Sequence, residues 1–294
     1  MYKLINDDCI NWISEQQDNS ITGVVTDPPY SFKEYDAIEL EKKRKGKGGI
    51  WRLPPAFDGS QRAPLPRFSV INDNQAARKS YVKFYEKWAA VLYRILVPGA
   101  HLIIATTPLL SDLQGGALRS AGFERRGEIV RLVTTFRGGD RPKGAEEEFS
   151  NISVLPRGAW EPWAIYRKPL SEGTIAKNLR KWKAGALRRP SEDIPFYDVI
   201  KAGKTPSSEK LIGRHPNQKP QSLMRKLTHA ILPLGEGVIL DPFAGSGSTL
   251  AAAEYNGLSS IGIERDKEFF NNALEAIPKL SRLGLLPLLR YDQL

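Results

Sequence analysis

Val238 to Leu240 run without interruption into Asp241-Pro242-Phe243-Ala244-Gly245-Ser246-Gly247-Ser248-Thr249, and an alanine-rich stretch follows. A short apolar run, a glycine loop and a run of helix formers predict a strand, a tight turn and a helix. The glycines let backbone approach a ligand closely, and the free amides of the helix N-terminus face the turn. The next apolar run, Ser259 to Ile263, ends in Glu264. A phosphate loop is disfavoured because no lysine follows the glycines. The dinucleotide fingerprint fails because Leu250 occupies its third glycine position. A nucleoside-type ligand remains, and an acidic residue at the second strand end is the expected partner of its ribose hydroxyls.

The same rhythm runs through much of the remaining chain. Tyr2 to Ile5, Thr22 to Thr26, His101 to Ala105 and Glu128 to Phe136 read as strands. Ser80 caps a helix whose Phe84, Trp88, Val91, Leu92 and Ile95 keep helical spacing until Pro98-Gly99, and a further helix covers Leu109 to Ser120. With 294 residues, 41% of them hydrophobic, the chain is long enough for a full α/β core with an appended module. The expected fold is a Rossmann-like, doubly wound, mostly parallel sheet. Two stretches break the pattern. Residues 31–77 are rich in charge, glycine and proline and read as a long mobile loop, most extreme at Lys42-Lys43-Arg44-Lys45. Residues 137–214 read as an inserted module. The expected division is 1–136, 137–214 and 215–294.

Thr26-Asp27-Pro28-Pro29-Tyr30 places chemistry at the end of a strand. Two successive prolines fix φ, remove two amide donors and push Asp27 towards extended geometry. A carboxylate, outward carbonyls and a flat ring form an acceptor-only cluster suited to a planar group that carries an NH2. Two acceptors gripping its hydrogens favour pyramidal nitrogen and release its lone pair for attack. A proline-rich turn after a strand is the competing account. Asp8 also sits where a strand hands over to a helix, which fits either a cofactor contact or a helix N-cap. His215-Pro216-Asn217-Gln218-Lys219-Pro220 opens a helix, with Pro220 in its first turn.

The formal charge of +10 favours a polyanionic partner. Lys177, Arg180, Lys181, Lys183, Arg188 and Arg189 crowd around Trp182, as phosphate contacts beside a base-approaching ring would; a solvated helix face is the alternative. One cysteine excludes an internal disulfide, and three widely spaced histidines give no metal-site spacing. The expected setting is a reducing, cytoplasmic compartment with no membrane segment, since no apolar window approaches the roughly 18 residues needed.

With both motifs placed, the chain resembles the S-adenosylmethionine-dependent DNA amino-methyltransferases, in the permuted order where the catalytic motif comes first. Asp27-Pro28-Pro29-Tyr30 matches the catalytic motif, Asp241-Pro242-Phe243 with Gly245-Ser246-Gly247 the cofactor loop, and residues 215–220 the segment before it. Asp8-Cys9 falls where that family contacts the adenine of its cofactor. The resemblance implies S-adenosylmethionine as cofactor. It implies cofactor contacts from Asp8, Cys9, Asn217, Lys219, Asp241, Phe243, Gly245, Ser246, Gly247, Thr249 and Glu264, and catalysis by Asp27, Pro28, Pro29 and Tyr30. Asn217 and Ser248 stand where the family often has threonine. Duplex DNA is the implied substrate, adenine N6 before cytosine N4, because Asp27 after Thr26 is closer to the adenine-specific members. Target recognition falls to residues 137–214, with Lys42, Lys43, Arg44, Lys45, Lys177, Arg180, Lys181 and Arg188 as DNA contacts. A homodimer and a cognate restriction endonuclease are left open as further partners. A catalytically silent DNA-binding protein on the same scaffold is the competing class.

Overall fold

The structure, a computed structural model, describes residues 1–29, 75–108, 110–135, 141–142, 144–154, 156, 158–215 and 217–284. Its strands are β1 (Tyr2–Asn6), β2 (Ile21–Thr26), β3 (Leu96–Ala105), β4 (Glu124–Thr135), β5 (Gly158–Arg167), β6 (Val199–Lys201), β7 (Val238–Asp241) and β8 (Ser259–Glu264). Its helices are α1 (Cys9–Ser14), α2 (Gln75–Ile95), α3 (Ser111–Ser120), α4 (Ile175–Trp182), α5 (Ser207–Gly213), α6 (Gln221–Ile231), α7 (Ser248–Tyr255) and α8 (Lys267–Arg282).

All eight of these strands form one sheet in the order β1-β8-β7-β2-β3-β5-β4-β6. Among them only β5 runs against its neighbours, β3 and β4. The central strands are apolar on both faces: β2 is buried throughout, as expected of a parallel strand covered by helices on both sides. On one face Ile13 of α1, Trp88, Leu92 and Ile95 of α2 and Leu118 of α3 join Val24, Leu102 and Ile104 in a single core. On the other, Leu223, Leu227 and Ile231 of α6 pack with Val25, Ile103 and Trp163. The helical spacing read in α2 therefore marks core positions, and the doubly wound sheet is the architecture found.

The chain leaves β7 for β8 on one side and β2 for β3 on the other, so the two strands flank a topological switch point, where open α/β sheets take their ligands. Asp241 ends β7 and Asp27 follows β2 directly.

The stretch 137–214, expected as an insert, contributes β5 and β6 to the main sheet. β5 escaped notice because Pro162 sits in its middle, and proline in a central strand argues against a strand. Here Pro162 still accepts a hydrogen bond from Thr106 N at 3.1 Å, and Trp163 beside it is fully buried. Ala105 at the end of β3 lies opposite Trp163, so the first five residues of β5 run past that end, by roughly 16 Å. Tyr30 and the loop cations Lys42, Lys43, Arg44 and Lys45 lie outside the described residues.

Candidate active site

β2 ends at Thr26, directly before Asp27, and the Thr26 side chain turns towards β7. Its hydroxyl donates to Asp241 Oδ1 at 2.7 Å. Asp241 takes two more donors, Phe243 N at 3.1 Å and Thr249 Oγ1 at 2.5 Å. One fully enclosed carboxylate thus ties the strand that presents Asp27 to the turn and helix of the glycine loop. Burial pushes the Asp241 carboxyl up to about 6, against the pull of its three donors.

Glycine is required in that loop. Gly245 and Gly247 hold φ of +49° and +75°, the left-handed region that side chains disfavour. A Cβ on Gly247 would strike Ile277 Cγ1, and one on Gly245 would come 3.3 Å from His215 Nε2. Gly245 N donates to Glu264 Oε2 and Asp266 N to Glu264 Oε1, both at 2.8 Å. Glu264, expected at a ribose, therefore also fixes the loop, and burial raises its pKa. Phe243 packs beside Trp88 and Phe84, with ring centroids 5.8 and 6.3 Å away. Ser246 is buried with its hydroxyl 3.0 Å from that of Ser248. No cationic side chain occurs in residues 241–249. A cradle of close backbone, an aromatic ring and a strand-end carboxylate suits a neutral or cationic nucleoside and is ill-suited to a phosphate.

Asp8 caps α1, accepting from Ile10 N at 2.9 Å and Asn11 N at 3.3 Å. The Cys9 side chain lies in the core, and desolvation pushes its thiol up to about 12. Any ligand contact from Cys9 consequently comes from its backbone. Asn217 is exposed, and its backbone N–H donates to His215 Nδ1 at 3.2 Å.

Lys219, expected at the cofactor, pairs with two carboxylates. Its ammonium lies 2.5 Å from Asp27 Oδ2 and 3.2 Å from Glu161 Oε1. Burial favours the neutral amine, but the two carboxylates outweigh it and raise the Lys219 pKa. Glu161 Oε2 in turn accepts from Arg131 Nη1 at 2.9 Å and Trp163 Nε1 at 3.1 Å. Burial works against the Glu161 charge, yet Lys219 and Arg131 bring its pKa down to about 2. Arg131 and Glu161 face one another across β4 and β5, and Arg131 also donates to Ala202 O and Gly203 O. Sequence reasoning missed Glu161 and Arg131. The available signal was a single carboxylate in the apolar run from Trp160 to Ile165.

The basic cluster of 177–189 falls at the far end of the sheet. Asn178 of α4 donates to Pro98 O at 2.9 Å, at the start of β3, whereas Asp27 lies beside its end. Seven residues of strand separate the two levels, roughly 23 Å. Lys181 pairs with Glu172 at 2.6 Å, Lys183 with Glu236 at 3.7 Å, and Arg189 donates to Glu192 O. Arg188 lies beside Gly235, just before β7 begins. The sequence brings these cations together but does not show which strand ends they face.

Among the described residues no group of side chains forms a metal site, and no helix is long and apolar enough to cross a membrane.

A doubly wound sheet with a nucleoside cradle and a diproline-backed carboxylate on either side of its switch point defines a methyltransferase-type α/β enzyme. Residues 21–275 match the DNA methylase family of N6/N4 methyltransferases. The chain belongs to that family and is a DNA methyltransferase. M.HindIII, a Type II methyltransferase of Haemophilus influenzae, is 26% identical over 308 residues, covering 96% of this chain and 95% of that protein. The structure of TTHA0409 from Thermus thermophilus gives a TM-score of 0.59 at 19% identity over 96% of each chain. Its complex with S-adenosyl-L-methionine gives 0.55 at 18% identity, again over 96% of each chain. The cytosine-N4-specific PvuII DNA methyltransferase gives 0.59 at 13% identity, over 96% of this chain and 93% of that one. At these identities the solved structures share the fold.

Proposed function

We propose that this enzyme transfers the methyl group of S-adenosylmethionine to the exocyclic N6 of adenine in duplex DNA. The observation that carries the reading is the placement of Asp27 beside the Asp241–Gly247 cradle, joined to it by the 2.7 Å Thr26–Asp241 bond. The cofactor, when bound, supplies an electrophilic methyl carbon on a sulfonium. The cradle and Glu264 orient it, and the absence of cations at 241–249 suits its positive charge. Asp27 and the Pro28 carbonyl would accept from the two amine hydrogens and so localise the lone pair on nitrogen; the amine, on taking the methyl carbon, would release the sulfur as a neutral thioether and give up one proton to solvent. The protein's contribution is orientation. Because the amine of a paired base lies inside the stack, the base is flipped out of the duplex to reach Asp27. Thr26-Asp27 favours adenine. Cytosine N4 is the second reading, since the fold is shared with a cytosine-N4-specific enzyme.

Duplex DNA then docks at the carboxyl ends of the strands. Lys201 at the end of β6, Lys210 of α5 and Arg214 at the C-cap of α5 are exposed cations of the described residues. Arg78, Lys79 and Lys83 of α2 line a groove of about 630 Å³ together with Glu86 and Leu113. The α4 cluster lies at the opposite end with several of its cations already partnered. The DNA contacts expected of Lys177, Arg180, Lys181 and Arg188 are accordingly replaced here by a solvated face. Replacing Lys177, Arg180 and Lys181 by Ala should leave DNA affinity and its salt dependence almost unchanged. A drop in log–log slope of about 0.9 for each residue replaced would return the duplex to that face. The function itself is tested by incubating the protein and methyl-labelled cofactor with duplex DNA, RNA and protein acceptors. Label confined to duplex DNA is the expected result, and label on another acceptor, or on none, refutes it.

A further inference from the structure

The Asp27–Lys219–Glu161 chain goes beyond what holding a fold requires. A cross-strand pair with Arg131 already satisfies Glu161 Oε2, yet Oε1 is aimed the other way, onto Lys219. Lys219 is buried at the strand ends with carboxylates on two sides. The overhang of β5 makes this reach possible. Glu161 lies two residues past the level of Ala105, and it shares a face with Trp163, which packs against α6 just after Lys219.

We infer that Glu161 is a positioning residue for methyl transfer: it holds the Lys219 ammonium, and that ammonium fixes how Asp27 presents its carboxylate to the target amine. This rests on the proposed function of Asp27. Lys219 grips Oδ2, which sets the carboxylate torsion and with it the direction of the second oxygen. Glu161 and Arg131 balance the remaining charge, so Asp27, Lys219, Glu161 and Arg131 together are neutral. Neutrality matters at the transition state, where positive charge develops on the attacked amine. A surplus cation next to Asp27 opposes that development, and an untethered Lys219 lets the carboxylate turn. Trp163 Nε1 orients Glu161 from behind.

The test compares Glu161→Gln, Lys219→Met and the double variant of the full chain. Single-turnover methyl transfer to duplex DNA, cofactor Kd and Tm are measured for each. Glu161→Gln should slow transfer by about 10-fold and Lys219→Met by about 100-fold, the scale expected of small misplacements. Cofactor Kd should stay within about 3-fold in both, since neither residue is asked to hold the nucleoside. In the Lys219→Met background, Glu161→Gln should cost nothing more, because its effect passes through the lysine and the double variant restores neutrality. Should Glu161→Gln fold poorly, Trp163→Phe removes the orienting bond with the ring retained, and a smaller loss confined to the transfer rate is expected. Wild-type transfer by Glu161→Gln, independent losses that multiply in the double variant, or losses that track cofactor affinity or Tm would each overturn the inference. If the wild-type protein transfers no methyl group to DNA, the proposed function fails. What then remains, that Glu161 holds Lys219 against Asp27, is decided by a crystal structure of Glu161→Gln: Lys219 displaced from Asp27 supports it, and an unmoved contact refutes it.

Discussion

Asp27→Ala should reduce methyl transfer by about 10²- to 10³-fold or more while leaving cofactor affinity within a few fold. The carboxylate adjoins the nucleoside cradle through its chain neighbour Thr26, which bonds Asp241, and its own charged contact runs to Lys219. An acceptor needed chiefly in the transition state is lost from turnover, with little effect on ground-state binding. The substitution also strands the Lys219 ammonium with Glu161 alone, so some loss of stability is expected beside the kinetic one. Breaking a buried pair typically costs about 3–5 kcal/mol, and Glu161 as a surviving partner lowers that figure here. Single-turnover rates and calorimetric titration of the cofactor separate the two effects. Near-normal turnover by this variant would remove Asp27 from the chemistry.

Gly245→Val should weaken cofactor binding by about 10- to 100-fold, the equivalent of roughly 1.4–2.8 kcal/mol. Two costs combine. A β-branched residue at φ +49° is strained, by roughly 1–3 kcal/mol where the surroundings enforce the conformation. Its Cβ also meets the His215 ring, itself packed edge-on against Phe269 with centroids 4.5 Å apart, so the contact is not easily relieved. Escape by the loop would break the Gly245 N–H bond to Glu264 and move the carboxylate assigned to the ribose. Calorimetric titration of the cofactor reads the result, and wild-type affinity would dissociate the glycine loop from cofactor binding.

Both local signatures of the site were legible in the sequence because each depends on neighbours in the chain. The apolar run ending at Asp27 and the strand, glycine loop and helix at 238–255 specify their own geometry through φ restriction and free amides. That the two meet follows from doubly wound topology, which alternating strands and helices announce. The bond from Thr26 to Asp241 was not legible, since it joins residues 215 positions apart and leaves no pattern. Glu161 was hidden twice: Pro162 masked its strand, and its partner Lys219 sits in a segment whose motif resemblance pointed to the cofactor. The basic run around Trp182 shows the limit of composition. Charge density is visible in sequence, but the end of the sheet on which it lies is set by the antiparallel turn into β5 and by Asn178 tying α4 to Pro98. Asp8 met its N-cap expectation because capping is local.

The central claim is that Asp27 presents the exocyclic amine of adenine in DNA to a methyl donor. The most direct measurement is to treat mixed-sequence duplex DNA with the protein and methyl-labelled S-adenosylmethionine, digest it to nucleosides and identify the labelled one. The expected product is N6-methyldeoxyadenosine, absent when Asp27→Ala replaces the wild type. Label in N4-methyldeoxycytidine would keep the mechanism and transfer the specificity to cytosine, whereas no labelled nucleoside, or labelling that survives Asp27→Ala, would contradict it.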